Sequence, residues 1–141
     1  MLVSRSAMEG ESAAKPVGPY RCLVIDRSRV RRGVARRILE ELNCEIEEAD
    51  TANAALRLFR ESSPDLVLLD WMLPEMSGLD LLRQLRASPA GDRARFLFCT
   101  PQVDADHLRE IVGAGADEYV GKPYDSDVIH SRLLQLGFMD A

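Results

Sequence analysis

The chain has 141 residues, enough for one domain with a sizeable core. Hydrophobic residues make up 46% and charged residues 29%, and a net charge of −5 argues against generic nucleic-acid binding. No apolar run is long enough to span a bilayer, the start lacks a signal peptide's apolar core, and Cys22, Cys44 and Cys99 are spaced for neither a disulfide framework nor a zinc site, so a cytoplasmic protein without membrane insertion or DNA contact is expected.

Residues 1–18 are rich in Ser, Ala, Gly and Glu without periodicity, and are expected to be a disordered tail ahead of a domain over 19–141. Tyr20 to Ile25 reads as a strand ending at Asp26. From Ser28 the period changes. Val30, Val34, Ile38 and Leu42 recur every four residues and predict an amphipathic helix over Ser28 to Leu42, capped by Asp26 or Ser28. Arg27, Arg29, Arg31, Arg32, Arg36 and Arg37 crowd this segment with no acid among them, by default as a solvated helix surface.

Cys44 to Ala49 alternates weakly and predicts a second strand near a sheet edge. Thr51 caps a helix whose apolar face is Ala52, Ala55, Leu56 and Phe59. After the turn signal Ser62-Ser63-Pro64-Asp65, the run Leu66 to Leu69 fits a strand buried on both faces, ending in Asp70. Pro74 and Gly78 impose a loop, and Leu79, Leu82 and Leu85 carry a third helix to Ser88-Pro89. Phe96 to Cys99 is a fourth strand ending in Thr100, followed by Pro101. Leu108, Ile111 and Val112 carry a fourth helix to Gly113 and Gly115. Glu118 to Gly121 is a short fifth strand before Lys122-Pro123. Asp125 caps a last helix using Val128, Ile129, Leu133 and Leu136. His107 and His130 have no ligand spacing and read as surface helix residues.

Five strands alternating with five helices predict an α/β fold, a doubly wound parallel sheet with helices on both faces. In such a sheet Asp26, Asp70, Thr100 and Lys122 all fall on the carboxyl edge, where open α/β folds keep their sites. Lys122 is the one lysine after Lys15 in a chain that otherwise uses arginine, which marks a flexible point-charge donor. A carboxylate can attack phosphorus, and the phosphoryl oxygens then need cations and donors. Lys122 and Thr100 supply these. Mg²⁺, a hard cation, would take oxygen ligands such as Asp26, Asp70 and a carbonyl of the following loop.

The motifs Leu-Val-Ile-Asp26, Leu-Val-Leu-Leu-Asp70 with Leu-Pro-Glu-Met-Ser-Gly, Leu-Phe-Cys-Thr100, and Ala-Gly-Ala-Asp-Glu-Tyr119-Val-Gly-Lys122-Pro123 occur in this order. From Tyr20 to about Phe138 the chain resembles the receiver domain of two-component response regulators, of the CheY-like single-domain type. The resemblance implies a (βα)5 flavodoxin-like sandwich with strand order 2-1-3-4-5. It implies Asp70 as phosphoacceptor from a histidine kinase, Thr100 as switch hydroxyl, Tyr119 as switch aromatic and Lys122 as phosphoryl ligand. It implies Mg²⁺ held by Asp26, Asp70 and the Met72 carbonyl. A face of the fourth helix, fifth strand and fifth helix would bind a downstream protein such as a flagellar motor switch or another regulator. On this reading the protein is a phosphoacceptor rather than an enzyme, and a monomer. With the chain ending at Ala141, output is expected through protein contacts.

Two residues depart from the family pattern. Arg27 stands where a second acid, the direct metal ligand, is usual, and two placements are open to it: its guanidinium reaches Asp26 or Asp70 in place of the ion, or it points to solvent and a water fills in as ligand. Pro101 replaces a small residue after Thr100 and restricts the loop. They motivate an alternative: a phosphorylation-independent pseudo-receiver binding module. In one form it would hold an anionic ligand such as a cyclic dinucleotide on the arginine-rich first helix. A phosphatase-like enzyme is a third reading, weakened by the lack of a second acid placed as general base.

Overall fold

The computed structural model describes residues 19–138, so the expected N-terminal tail lies outside the described residues. The elements follow in strict alternation: β1 (Tyr20–Ile25), α1 (Arg29–Glu40), β2 (Cys44–Ala49), α2 (Ala52–Ser62), β3 (Leu66–Asp70), α3 (Gly78–Ala87), β4 (Arg95–Thr100), α4 (Ala105–Ala114), β5 (Glu118–Gly121) and α5 (Ser126–Gln135). The five strands form one sheet in the order β2-β1-β3-β4-β5, and every pairing is parallel. This is the doubly wound sheet expected from the alternation, with β2 at an edge.

The order explains where the helices lie. Right-handed crossovers put a helix on one face when the chain steps one way across the sheet, and on the other face when it steps back. The chain steps from β1 to β2, then returns past β1 to β3 and onward. Accordingly α2, α3 and α4 share one face, where Phe59, Leu81, Leu82, Leu85 and Ile111 pack on Leu23, Ile25, Val67, Leu69, Phe96 and Phe98. The other face carries α1 and α5, with Ala35, Ile38, Leu39, Ile129 and Leu133 on Cys22, Val24, Leu66, Leu68, Leu97 and Cys99. Alternate strand residues go to alternate faces, the period-2 signature of a strand buried on both sides. All five residues of β3 are buried.

Caps fix the helix starts. Ser28, Thr51, Ser77, Asp104 and Asp125 each accept a hydrogen bond from the backbone N–H three residues on. At the start of α3, a Cβ on Gly78 would lie 2.2 Å from the Asp70 carbonyl oxygen and 2.9 Å from the Trp71 Cα. Only glycine lets α3 begin that close to the end of β3, which holds the loop after Asp70 tightly folded.

Two helix faces differ from their predicted stripes. On α1, Val30 is 77% exposed and Val34 is also exposed, while Ala35, Ile38 and Leu39 are buried. The apolar stripe is rotated by one position because Ala35 anchors it. On α4, Val112 points outward, and Ile111 and Ala114 make the contact with the sheet. No described helix is long and apolar enough to cross a membrane.

Candidate functional site

The topological switch point lies between β1 and β3, whose crossovers leave in opposite directions. Asp26 follows the last residue of β1, and Asp70 is the last residue of β3. Both carboxylates are buried; Asp70 is 2% exposed. Two carboxylates in so dry a site need compensating cations. Lys122, just past β5, reaches across from the far side. Its Nζ forms an ion pair with Asp70 Oδ1 and sits 3.5 Å from Asp26 Oδ2. The Lys122 N–H donates to the Thr100 carbonyl (2.9 Å), and the Lys122–Pro123 peptide bond is cis.

The second cation is Arg31, not Arg27. Arg31 Nε donates to Asp26 Oδ1 (3.2 Å) and Oδ2 (3.0 Å), and its Nη2 donates to Oδ1 at 2.9 Å. The same Nη2 lies 3.7 Å from Asp70 Oδ2. Arg27 is exposed at the mouth of the pocket, and its side chain makes no hydrogen bond or ion pair with another described residue. Of the two placements open to Arg27, the structure shows the solvent-facing one, and the contact with the carboxylates falls to Arg31. The reason is positional. Arg31 lies in the first turn of α1, and helical side chains lean toward the helix N-terminus, here toward the end of β1. Arg27 precedes that turn. Neither chain neighbour of Asp26, Ile25 or Arg27, adds an acid.

The rest of the arginine cluster is also less solvated than its sequence suggests. Arg32 donates to Glu48 (2.9 Å) and to the Asp26 carbonyl (2.8 Å), and Arg36 donates to Glu48 at 2.6 Å. Three of the six arginines are thus engaged by acids of β1–β2 and the switch point, which leaves Arg27, Arg29 and Arg37 exposed.

Burial by itself would raise the Asp26 carboxyl. The Arg31 hydrogen bonds, the Ser28 N–H and the charges of Lys122 and Arg31 outweigh it and hold Asp26 below the usual carboxylate range. The Arg36 hydrogen bond does the same for Glu48, against a smaller burial penalty. A carboxyl depressed in the folded state stabilises the fold above its unfolded value, and the contribution is lost as pH falls through the folded value. The urea midpoint should therefore be flat from about pH 7 to 5 and fall below about pH 4. A midpoint that rises toward acid would mean that carboxylate repulsion outweighs the two cations.

Thr100 is fully buried at the end of β4. Its Oγ1 accepts from the Gln102 N–H (3.1 Å) and sits 3.2 Å from His107 Nε2 on α4. His107 is thus a half-buried partner of the Thr100 hydroxyl, not the surface residue expected from its lack of ligand spacing. A lone histidine gave the sequence no handle; its place in the first turn of α4, above the β4 end, creates the contact. Tyr119 on β5 is half-buried, and the Arg132 guanidinium lies 6.0 Å from its ring centroid. Burial pushes the Cys99 thiol up to about 12, so it remains protonated beside the site.

A cavity of about 510 Å³ opens over Asp70 and Lys122, with Arg27, Arg31, Val34, Trp71, Pro101 and Tyr124 around them. Pro101 lines the mouth, as its position after Thr100 implies. The Met72 carbonyl is on the loop beyond Asp70, where Met72 forms an isolated bridge with Ser77. Asp26 and Asp70, brought together around Lys122 and Arg31, are oxygen donors of the kind a hard divalent cation takes while keeping several waters. No group of three metal-ligating side chains converges among the described residues. The two carboxylates suit such an ion chemically, and here Arg31 and Lys122 are their cationic partners.

Comparison with known proteins follows the same outline. The sequence profile of the response regulator receiver domain matches residues 22–134. A chemotaxis protein CheY of Halobacterium salinarum is 32% identical over 111 residues, covering 79% of this chain and 91% of that protein. The response regulator MprA of Mycolicibacterium vanbaalenii is 35% identical over 118 residues, and the chain spans about half the length (50%) of that relative. Among solved structures, the chemotaxis response regulator CheY4 of Vibrio cholerae superposes with a TM-score of 0.79 at 20% identity, covering 83% of this chain and 98% of that one.

Proposed function

The chain belongs to the response regulator receiver domain family, and from that premise we propose that it accepts a phosphoryl group from a histidine kinase on Asp70 and signals through a protein partner. Receiver domains are signalling modules of two-component systems that act between histidine kinases and downstream effectors. The observation that carries the assignment here is the ion pair of Lys122 with a nearly inaccessible Asp70 at the floor of an open cavity.

In the reaction an Asp70 carboxylate oxygen attacks phosphorus of the donor's phosphoimidazole. The P–N bond breaks, its electron pair leaves on the imidazole nitrogen, and that nitrogen then takes a proton. Asp70 becomes a mixed anhydride. Lys122, already beside Asp70, exchanges its carboxylate partner for a phosphoryl oxygen. Asp26 Oδ2, 3.5 Å from Lys122 Nζ, helps keep that ammonium beside Asp70. A bound Mg²⁺ would neutralise phosphoryl charge, with Asp26, Asp70 and the Met72 carbonyl as its protein ligands.

Output follows from Thr100. To reach a phosphoryl oxygen its hydroxyl must leave His107 and Gln102, which frees the first turn of α4. Tyr119 on β5 and Arg132 on α5 adjoin this region, and Arg132 Nε donates to the Tyr119 carbonyl at 2.9 Å. Val112 and Leu134 expose apolar surface on α4 and α5. We place the partner face on α4, β5 and α5, with a flagellar motor switch or another regulator as the occupant.

The pseudo-receiver reading draws on the Arg31 fork, which already balances the carboxylates. Trp71 fluorescence separates the two. Trp71 is the one tryptophan and lines the cavity with Asp70. Acetyl phosphate or beryllofluoride should change its emission in wild type and leave Asp70→Asn unchanged. A folded wild type that responds to neither, with or without Mg²⁺, would favour the pseudo-receiver.

A further inference from the structure

We propose that Arg31 is a tethered cation that occupies the divalent-ion position and must be displaced before an ion can bind. This deepens the reading above by naming the residue that controls ion entry. Three hydrogen bonds tie Arg31 to Asp26, and its Nη2 lies 3.7 Å from Asp70 Oδ2. It therefore lies against both of the carboxylates that would hold an ion. Charge counting gives the same answer. Asp26 and Asp70 bring two negative charges, and Lys122 and Arg31 bring two positive ones. A divalent ion added to this neutral set would leave an uncompensated double charge in a site of low polarity. If Arg31 leaves, the excess falls by one and Asp26 loses its three Arg31 bonds, keeping the Ser28 N–H on Oδ1 and Lys122 Nζ 3.5 Å from Oδ2.

Arg31 is built to leave. Its side chain is 44% exposed, whereas that of Arg32, its neighbour bound to Glu48, is 14% exposed. Undocking Arg31 moves a solvated guanidinium into the open cavity and disturbs no core packing. Arg27 and Val34 line the same mouth. Ion affinity is then the intrinsic affinity of the oxygen set reduced by the strength of the Arg31 fork. Bidentate guanidinium–carboxylate pairs are among the stronger hydrogen-bonded pairs in proteins.

The test is a Mg²⁺ titration of wild type, Arg31→Gln and Arg31→Lys, read by calorimetry and by Trp71 emission with no phosphoryl donor present. Arg31→Gln should bind Mg²⁺ at least about tenfold more tightly than wild type. Arg31→Lys keeps the charge but loses the fork, and should fall between them. Mg²⁺ should also raise the melting temperature of Arg31→Gln more than that of wild type. Equal or weaker binding in a folded Arg31→Gln overturns the proposal, as does binding in none of the three. If Arg31→Gln does not fold without ion, Arg31→Lys decides: affinity no tighter than wild type overturns it. Because no donor is present, failure here leaves Asp70 as acceptor untouched. An Asp70 that never accepts phosphate leaves the Arg31 result standing.

Discussion

Lys122→Ala should lower stability by about 3 kcal/mol in urea unfolding and abolish the fluorescence response to acetyl phosphate. Lys122 is the partner of Asp70 Oδ1 and lies 3.5 Å from Asp26 Oδ2. Without it, two buried carboxylates share Arg31 alone. Breaking a buried pair by deleting one partner costs about 3–5 kcal/mol, and the opening of the cavity to solvent puts this case at the low end. The cost lies in the stranded charge rather than in the lost bond, which a second variant checks. Asp70→Asn introduced into Lys122→Ala should return most of the lost stability. If Lys122→Ala alone costs less than about 1 kcal/mol, Arg31 carries the charge balance and Lys122 serves phosphoryl binding only.

Arg86→Ala should cost about 3–5 kcal/mol although it lies outside the site. Arg86 leaves α3 and donates to three carbonyls, of Gly115 (2.8 Å), Gly91 (2.7 Å) and Ala94 (2.9 Å), and to Asp117 Oδ2 at 2.6 Å. Its guanidinium also covers the Phe96 ring, 4.4 Å from the centroid. Asp117 in turn accepts from the Phe96 N–H at 2.8 Å, so one side chain ties α3, the start of β4 and the loop into β5. Gly115 has φ of +115° and would bring a Cβ within 2.8 Å of Arg86 Cγ, so the α4 terminus is shaped around this arginine. Arg86→Lys should recover little, because an ammonium cannot reproduce the fork. A loss below about 1 kcal/mol for Arg86→Ala would show that water replaces those bonds.

These two residues differ in how far the sequence reveals them. Lys122 stands at a strand end in an arginine-rich chain, and the alternation of elements places every strand end on one edge. Asp26, Asp70, Thr100 and Lys122 were legible for that reason. So was the sheet, since Leu66 to Leu69 and Phe96 to Cys99 have the continuous apolar pattern of strands covered on both faces. Arg86 and Arg31 were not legible. Each sits among exposed helix positions, and its role depends on what the next loop or strand end places above it. Arg27 adjoins Asp26 in sequence but faces solvent. Arg31 takes the contact because a first-turn side chain leans back over the strand end. The capping position of Ser28 was visible and could have pointed to its third follower, Arg31. The α1 stripe was misplaced because alanine at position 35 carries little hydrophobic signal, although its small size admits the close contact. His107 was missed because its partner, Thr100, lies in another element whose end had to be placed first.

The most direct measurement is the mass of the intact protein after incubation with acetyl phosphate and Mg²⁺, followed by mapping of the modified peptide. Asp70 should carry a gain of one phosphoryl group, absent in Asp70→Asn and strongly reduced in Lys122→Ala. No gain in folded wild type, or a gain retained in Asp70→Asn, would contradict it.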